Sequence, residues 1–102
     1  MSELLDALEN REFVDAVFVV GEKSIPLKVR VFSEEDFKTE IDALKNGDKN
    51  QNAERLAGYF YDAKALTPIF TAEKLLSSKI KNRDVAALCR LFADCNRGLE
   101  GN

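Results

Sequence analysis

Ile25-Pro26-Leu27-Lys28-Val29-Arg30-Val31-Phe32-Ser33-Glu34-Glu35-Asp36-Phe37 changes period in its middle, and that change decides the fold. Up to Val31 the apolar residues Ile25, Leu27, Val29 and Val31 alternate with Pro26, Lys28 and Arg30. Such alternation describes a strand with one face buried and the other in water. From Ser33 the spacing becomes helical. Ser33-Glu34-Glu35-Asp36 resembles a capping box in which Asp stands where Glu or Gln is commoner, and Phe32 and Phe37 occupy the staple positions around it. Three early carboxylates suit the positive end of a helix dipole. Phe37, Ile41 and Leu44 then carry the inward stripe as far as Asn46-Gly47. A strand that feeds a capped helix places the chain in the α+β class.

Upstream, Phe13 to Val20 is rich in Val and Phe and reads as a partner strand joined through Gly21-Glu22-Lys23-Ser24. Pro26 cannot donate to a ladder, which favours an edge position or one near the strand start. Two strands are not stable alone, so the hairpin must pack on helices or join strands of another copy. Ahead of it, Ser2 can cap a short helix to about Asn10, with Leu4, Leu5 and Leu8 on one side.

Downstream, Asn46 to Asn52 is polar throughout and is expected to form a mobile loop, residues 46–52. A helix is expected from Ala53 to Ala63, with Leu56, Tyr59, Phe60 and Ala63 on its stripe and Tyr61 off it. Pro68 biases Thr67 to extended backbone. Thr71 caps a short helix stapled by Phe70 and Leu75. Asn82 to Arg97 forms the closing helix, with Val85, Leu88, Cys89, Phe92 and Cys95 inward and Gly98 as its stop. The whole is expected to be one domain, residues 1–102: an N-terminal β-hairpin packed with a small bundle of four to five short helices.

Composition narrows the chemistry. A net charge of −3 argues against a sequence-independent hold on nucleic acid. The basic cluster Lys79, Lys81 and Arg83 has no interleaved aromatic and fits a solvated turn. The chain has no His, which removes the commonest general base. It has no phosphate loop or nucleophile elbow. Cys89 and Cys95 lie nearly two helical turns apart, too far for a disulfide within one straight helix, and read as small buried thiols. Glu34, Glu35 and Asp36 have a sufficient structural reason as first-turn acids. No enzymatic activity, cofactor, metal or small-molecule ligand is expected, and no signal peptide or bilayer-spanning run is read from the chain.

Three pieces carry a resemblance: Val29 to Phe37, then Asp62 with Pro68-Ile69-Phe70-Thr71-Ala72-Glu73, then Leu88 to Leu99. In this order they resemble the small tail assembly chaperones of long-tailed bacteriophages. Lys64-Ala65-Leu66 departs from that pattern, standing where a Gly-containing turn is usual, and so does the longer polar stretch Gly47–Asn52. The resemblance implies an adaptor in the host cytoplasm that binds the tape-measure protein and keeps it soluble. It would recruit major tail (tube) protein and leave before the virion is complete. Helix-in-groove binding is the expected mode. The apolar or aromatic residues not claimed by core stripes, Tyr61, Leu66, Ile69, Leu76 and Leu91, are the expected partner contacts. A different non-enzymatic adaptor or regulator, bound to a head–tail component or a host factor, would use the same architecture. An uncovered hairpin edge also favours self-association.

Overall fold

In the computed structural model, residues 13–100 are described, the side chains as far as Arg97. Strands β1 (Phe13–Val20) and β2 (Lys23–Arg30) form a hairpin. Helices α1 (Glu34–Asn46) and α2 (Lys49–Ala57) follow, then strand β3 (Phe60–Asp62), the single-turn helix α3 (Ala72–Leu75) and the long helix α4 (Asn82–Glu100). The three strands make one antiparallel sheet in the order β1-β2-β3. The fold is α+β. The expected helix over Ser2 to Asn10 lies outside the described residues.

A two-residue turn, Gly21-Glu22, closes the hairpin with Val20 opposite Lys23. Gly21 has φ +60, the left-handed conformation that a glycine adopts without steric cost at the first central position of such a turn. Counting alternate pairs from there, the even-numbered residues of β2 turn their backbone groups towards β3. Arg30 confirms that parity, since its N–H bonds to the Tyr59 carbonyl at 2.8 Å. Pro26 therefore lacks its donor on the β3 side, and β3 reaches only as far as Leu27. A proline in the middle strand is tolerated because no neighbour asks for its hydrogen.

One face of the sheet and the stripes of all four helices enclose the core. Val29, Leu56, Phe60 and Phe92 are wholly buried, with Leu27, Phe37, Leu75 and Leu88 around them. The Tyr59 ring stacks on Phe92 at 3.8 Å, and Phe32 meets both edge-on. Phe37 also packs on Phe92, so both staple aromatics of α1 converge on one ring of α4. Ser33 caps α1 as expected, its hydroxyl accepting from the Asp36 N–H at 3.2 Å. Thr71 caps α3 in the same way.

Three expectations are corrected. The polar stretch 46–52 is not a loop through its length: Asp48 caps α2 with a reciprocal capping box to Gln51, and α2 is helical from Lys49. Polarity marked a solvated first turn. The helix expected over Ala53 to Ala63 stops at Ala57 with Gly58 as its cap, and Phe60–Asp62 turns back as a strand on Leu27–Val29. Helical spacing of Leu56, Tyr59 and Phe60 arises because helix end, turn and strand all face the same core. The closing helix also passes its expected stop, remaining helical through Gly98 to Glu100.

Asn96 joins the closing helix to the link between β2 and α1. Buried at 3% exposure, its amide oxygen accepts from the Phe32 N–H at 2.8 Å. The amide nitrogen donates to the carbonyls of Arg30 and Phe92. The link between β2 and α1 has no strand partner there, so α4 satisfies its backbone groups through this one side chain.

Candidate interaction groove

The hairpin is longer than the sheet behind it. β3 pairs only with Leu27–Val29, and the half of the hairpin nearest the turn runs beyond it. Phe18 and Ile25 are cross-strand neighbours there, on the core-facing side along with Val20. Facing them are Ile69 and Phe70, from the segment before α3, together with Ile80 and Leu88. Between these walls lies a groove of about 330 Å³, with Leu27 also in its lining and Lys79 and Asp84 the charged groups beside it. Val20 and Ile25 stay 55% and 42% exposed.

Local chemistry holds each wall. Thr67 and Pro68 run back along β3: the Asp62 N–H bonds to the Thr67 carbonyl at 2.8 Å, and the Ile69 N–H to the Phe60 carbonyl at 3.2 Å. Phe70 then stands edge-on to buried Phe60. Ile80 is delivered by a tight turn in which its N–H bonds to the Ser77 carbonyl at 3.2 Å. A cleft built this way offers contact to apolar side chains and few hydrogen-bonding groups.

The five expected contact residues do not share one surface. Ile69 alone lines the groove. Tyr61 sits on the opposite face of the sheet, edge-on to Phe13 at 5.0 Å. Leu66 is exposed at the turn after β3, with φ +57. Leu76 caps α3 and borders a separate cleft with Ala53 and Val85. Leu91 is half-buried on α4 against the core. The apolar groove residues that sequence reasoning passed over as contacts are Phe18, Val20, Ile25, Leu27, Phe70, Ile80 and Leu88. Strand alternation already put Ile25 on the buried face, while Phe18 and Val20 were read only as part of a strand, and only the tertiary structure shows that the sheet and helices stop short of all three.

Away from the groove, one polar set ties elements together. Glu40 accepts from the Tyr59 hydroxyl and, at 3.0 Å, from the Arg55 guanidinium, tying α1 to α2 and to the turn after it. Burial, reinforced by the Glu40 carboxylate, pushes the Tyr59 hydroxyl far above its ordinary value and keeps it a hydrogen-bond donor. Burial also raises the Cys89 and Cys95 thiols, Cys95 with a smaller push from Asp94. Neither has the lowered pKa of an activated nucleophile. Glu34, Glu35 and Asp36 lie exposed along the first turn of α1. Among the described residues no group of three or more His, Cys, Asp or Glu side chains is placed to hold a metal ion, and no helix is long and apolar enough to cross a membrane. No family model, no curated protein and no solved structure matches the chain.

Proposed function

We propose that the chain is a tail assembly chaperone of the long-tailed-phage type, and that the groove under the hairpin tip holds apolar side chains of the tape-measure protein. The observation that carries the reading is the groove itself, a preformed apolar cleft with exposed Val20 and Ile25 at its mouth. The resemblance supplies the identity of the partner. Its pieces are neighbours in space: Ile69 and Phe70 of the Pro68–Thr71 motif form one wall, and Asn96 of the closing helix bonds to Phe32, just before the Ser33 cap.

An amphipathic helix presents apolar residues at i, i+3 or i+4, and i+7, which suits a cleft lined by aliphatic and aromatic side chains. Covering Val20, Ile25 and Ile80 would contribute roughly 1–2 kcal/mol each, since all three are already partly buried. Lys79 and Asp84 at the rim favour one direction of the bound segment through their opposite charges. The grip is modest, as befits a chaperone that shields its client, recruits tube subunits in the host cytoplasm and then leaves.

The test is co-expression with tape-measure protein. Ile25→Glu places a charge at the mouth of the groove without touching a buried residue. Recovery of soluble tape-measure protein with this variant should fall at least tenfold, while its thermal midpoint stays within a few degrees of wild type. Wild-type recovery with a folded Ile25→Glu chain overturns the reading.

A further inference from the structure

The sheet has two edges, and the chain treats them differently. Beyond β3, the segment through Pro68 covers the edge: Pro68 bridges Tyr61, and the Asp62 and Ile69 N–H groups bond across it. Along β1 nothing among the described residues does so. By the hairpin parity, Val14, Ala16, Phe18 and Val20 turn their backbone groups to β2, while Phe13, Asp15, Val17 and Val19 turn theirs outward. Unpaired edges of this kind are normally blunted by charge, proline, a bulge or a covering element. Here Ala16-Val17-Phe18-Val19-Val20 carries no charge and no proline, the register with β2 runs without a bulge over all eight residues, and Val17 and Val19 are 53% and 63% exposed.

We propose that the bare edge of β1 pairs antiparallel with β1 of a second copy, joining two three-stranded sheets into one. The register follows from the parity. An antiparallel pair exchanges hydrogen bonds between outward-facing residues, and a two-fold axis through that exchange must pass a residue paired with its own equivalent. The outward set is Phe13, Asp15, Val17 and Val19, and Val17 is the member whose self-pairing keeps both exposed valines in the joined ladder while holding the two Asp15 carboxylates apart. With Val17 opposite Val17 of the other copy, Asp15 falls opposite Val19 and Val19 opposite Asp15. Those three pairs supply about six hydrogen bonds between chains. The two Asp15 carboxylates stand four positions apart along the strand, and each keeps its own Lys28 partner at 2.7 Å. The valines at 17 and 19, left in water by the single chain, become cross-strand neighbours on one face of the joined sheet.

Light scattering with size-exclusion chromatography, followed through a dilution series, tests the pairing. The wild-type chain should run at twice its 11.4 kDa mass at the concentrated end. Val17→Lys should run as a monomer with unchanged circular dichroism, because a charged edge resists pairing. Val17→Pro should do the same: the N–H it removes points away from β2, so the hairpin ladder keeps every bond. Val17→Cys should crosslink to its own equivalent under oxidation, and Val19→Cys should not. A wild-type chain monomeric throughout overturns the proposal, as does a dimer that survives both Val17→Lys and Val17→Pro in folded protein.

Discussion

Leu66 adopts φ +57, a left-handed conformation that a γ-branched side chain enters at a cost of order 1 kcal/mol. The turn around it accounts for the geometry. The Asp62 carboxylate accepts from the N–H groups of Lys64 and Ala65, and the Leu66 N–H closes onto the Asp62 carbonyl at 3.0 Å. Those two backbone donors hold the Asp62 carboxyl below its usual value. Relief of the strain by glycine is partly cancelled by the entropy glycine loses on folding. Leu66→Gly should therefore leave the unfolding free energy from a urea titration within a few tenths of a kcal/mol of wild type or raise it. Leu66→Val should lower it by about 1–2 kcal/mol, because a β-branched side chain crowds the backbone at positive φ. Equal midpoints for the two variants would show that the turn relaxes around residue 66. Nothing local in Lys64-Ala65-Leu66 announces a left-handed residue. The surrounding hydrogen bonds impose it.

At the scale of elements, caps were legible and lengths were not. Ser33 and Thr71 do what their positions promise, since a cap is set by contacts within one turn of chain. Asp48 and Gln51 form an equally local device, legible as an acceptor three residues before a Gln, and the polarity of the stretch masked it. Gly58 similarly signalled the end of α2 within a pattern that looked helical on both sides. Asn96 belongs to this scale as well, because it couples α4 to the link between β2 and α1. Asn96→Ala would strand the Phe32 N–H and the Arg30 carbonyl without replacing either partner. The expected cost is about 1–3 kcal/mol, the desolvation penalty of two part-buried backbone groups left unpaired. It would appear as a lower urea midpoint at an unchanged slope. A loss below half a kcal/mol would mean that water or a shifted backbone takes over both bonds.

For the whole molecule, the Tyr59–Glu40–Arg55 set makes stability depend on pH in one direction. Folding favours the protonated Tyr59 hydroxyl, whose value lies above the ordinary 10.0. That contribution is present in full below pH 10 and is lost as the pH rises beyond it, where the unfolded tyrosine ionises and the folded one does not. Urea midpoints of the wild type should thus fall above pH 10. Tyr59→Phe should start about 1 kcal/mol lower near neutral pH, for the lost hydrogen bond, and show a shallower alkaline fall. Parallel alkaline slopes for the two proteins would assign the dependence to other groups.

By itself the sequence determined what is decided within a few residues: the alternating hairpin, the capped starts of α1 and α3, the stripe of the closing helix and hence the α+β class. Only the tertiary structure decided that Phe60–Asp62 is a strand, that Asn96 bridges α4 to β2, and that the hairpin overhangs the sheet to open a groove at Val20 and Ile25. Three residues are too few to show a period, so their state is chosen by the backbone groups of Leu27–Val29 waiting beside them. A groove, in turn, is a difference between the lengths of elements distant in the chain, and no local pattern encodes that difference.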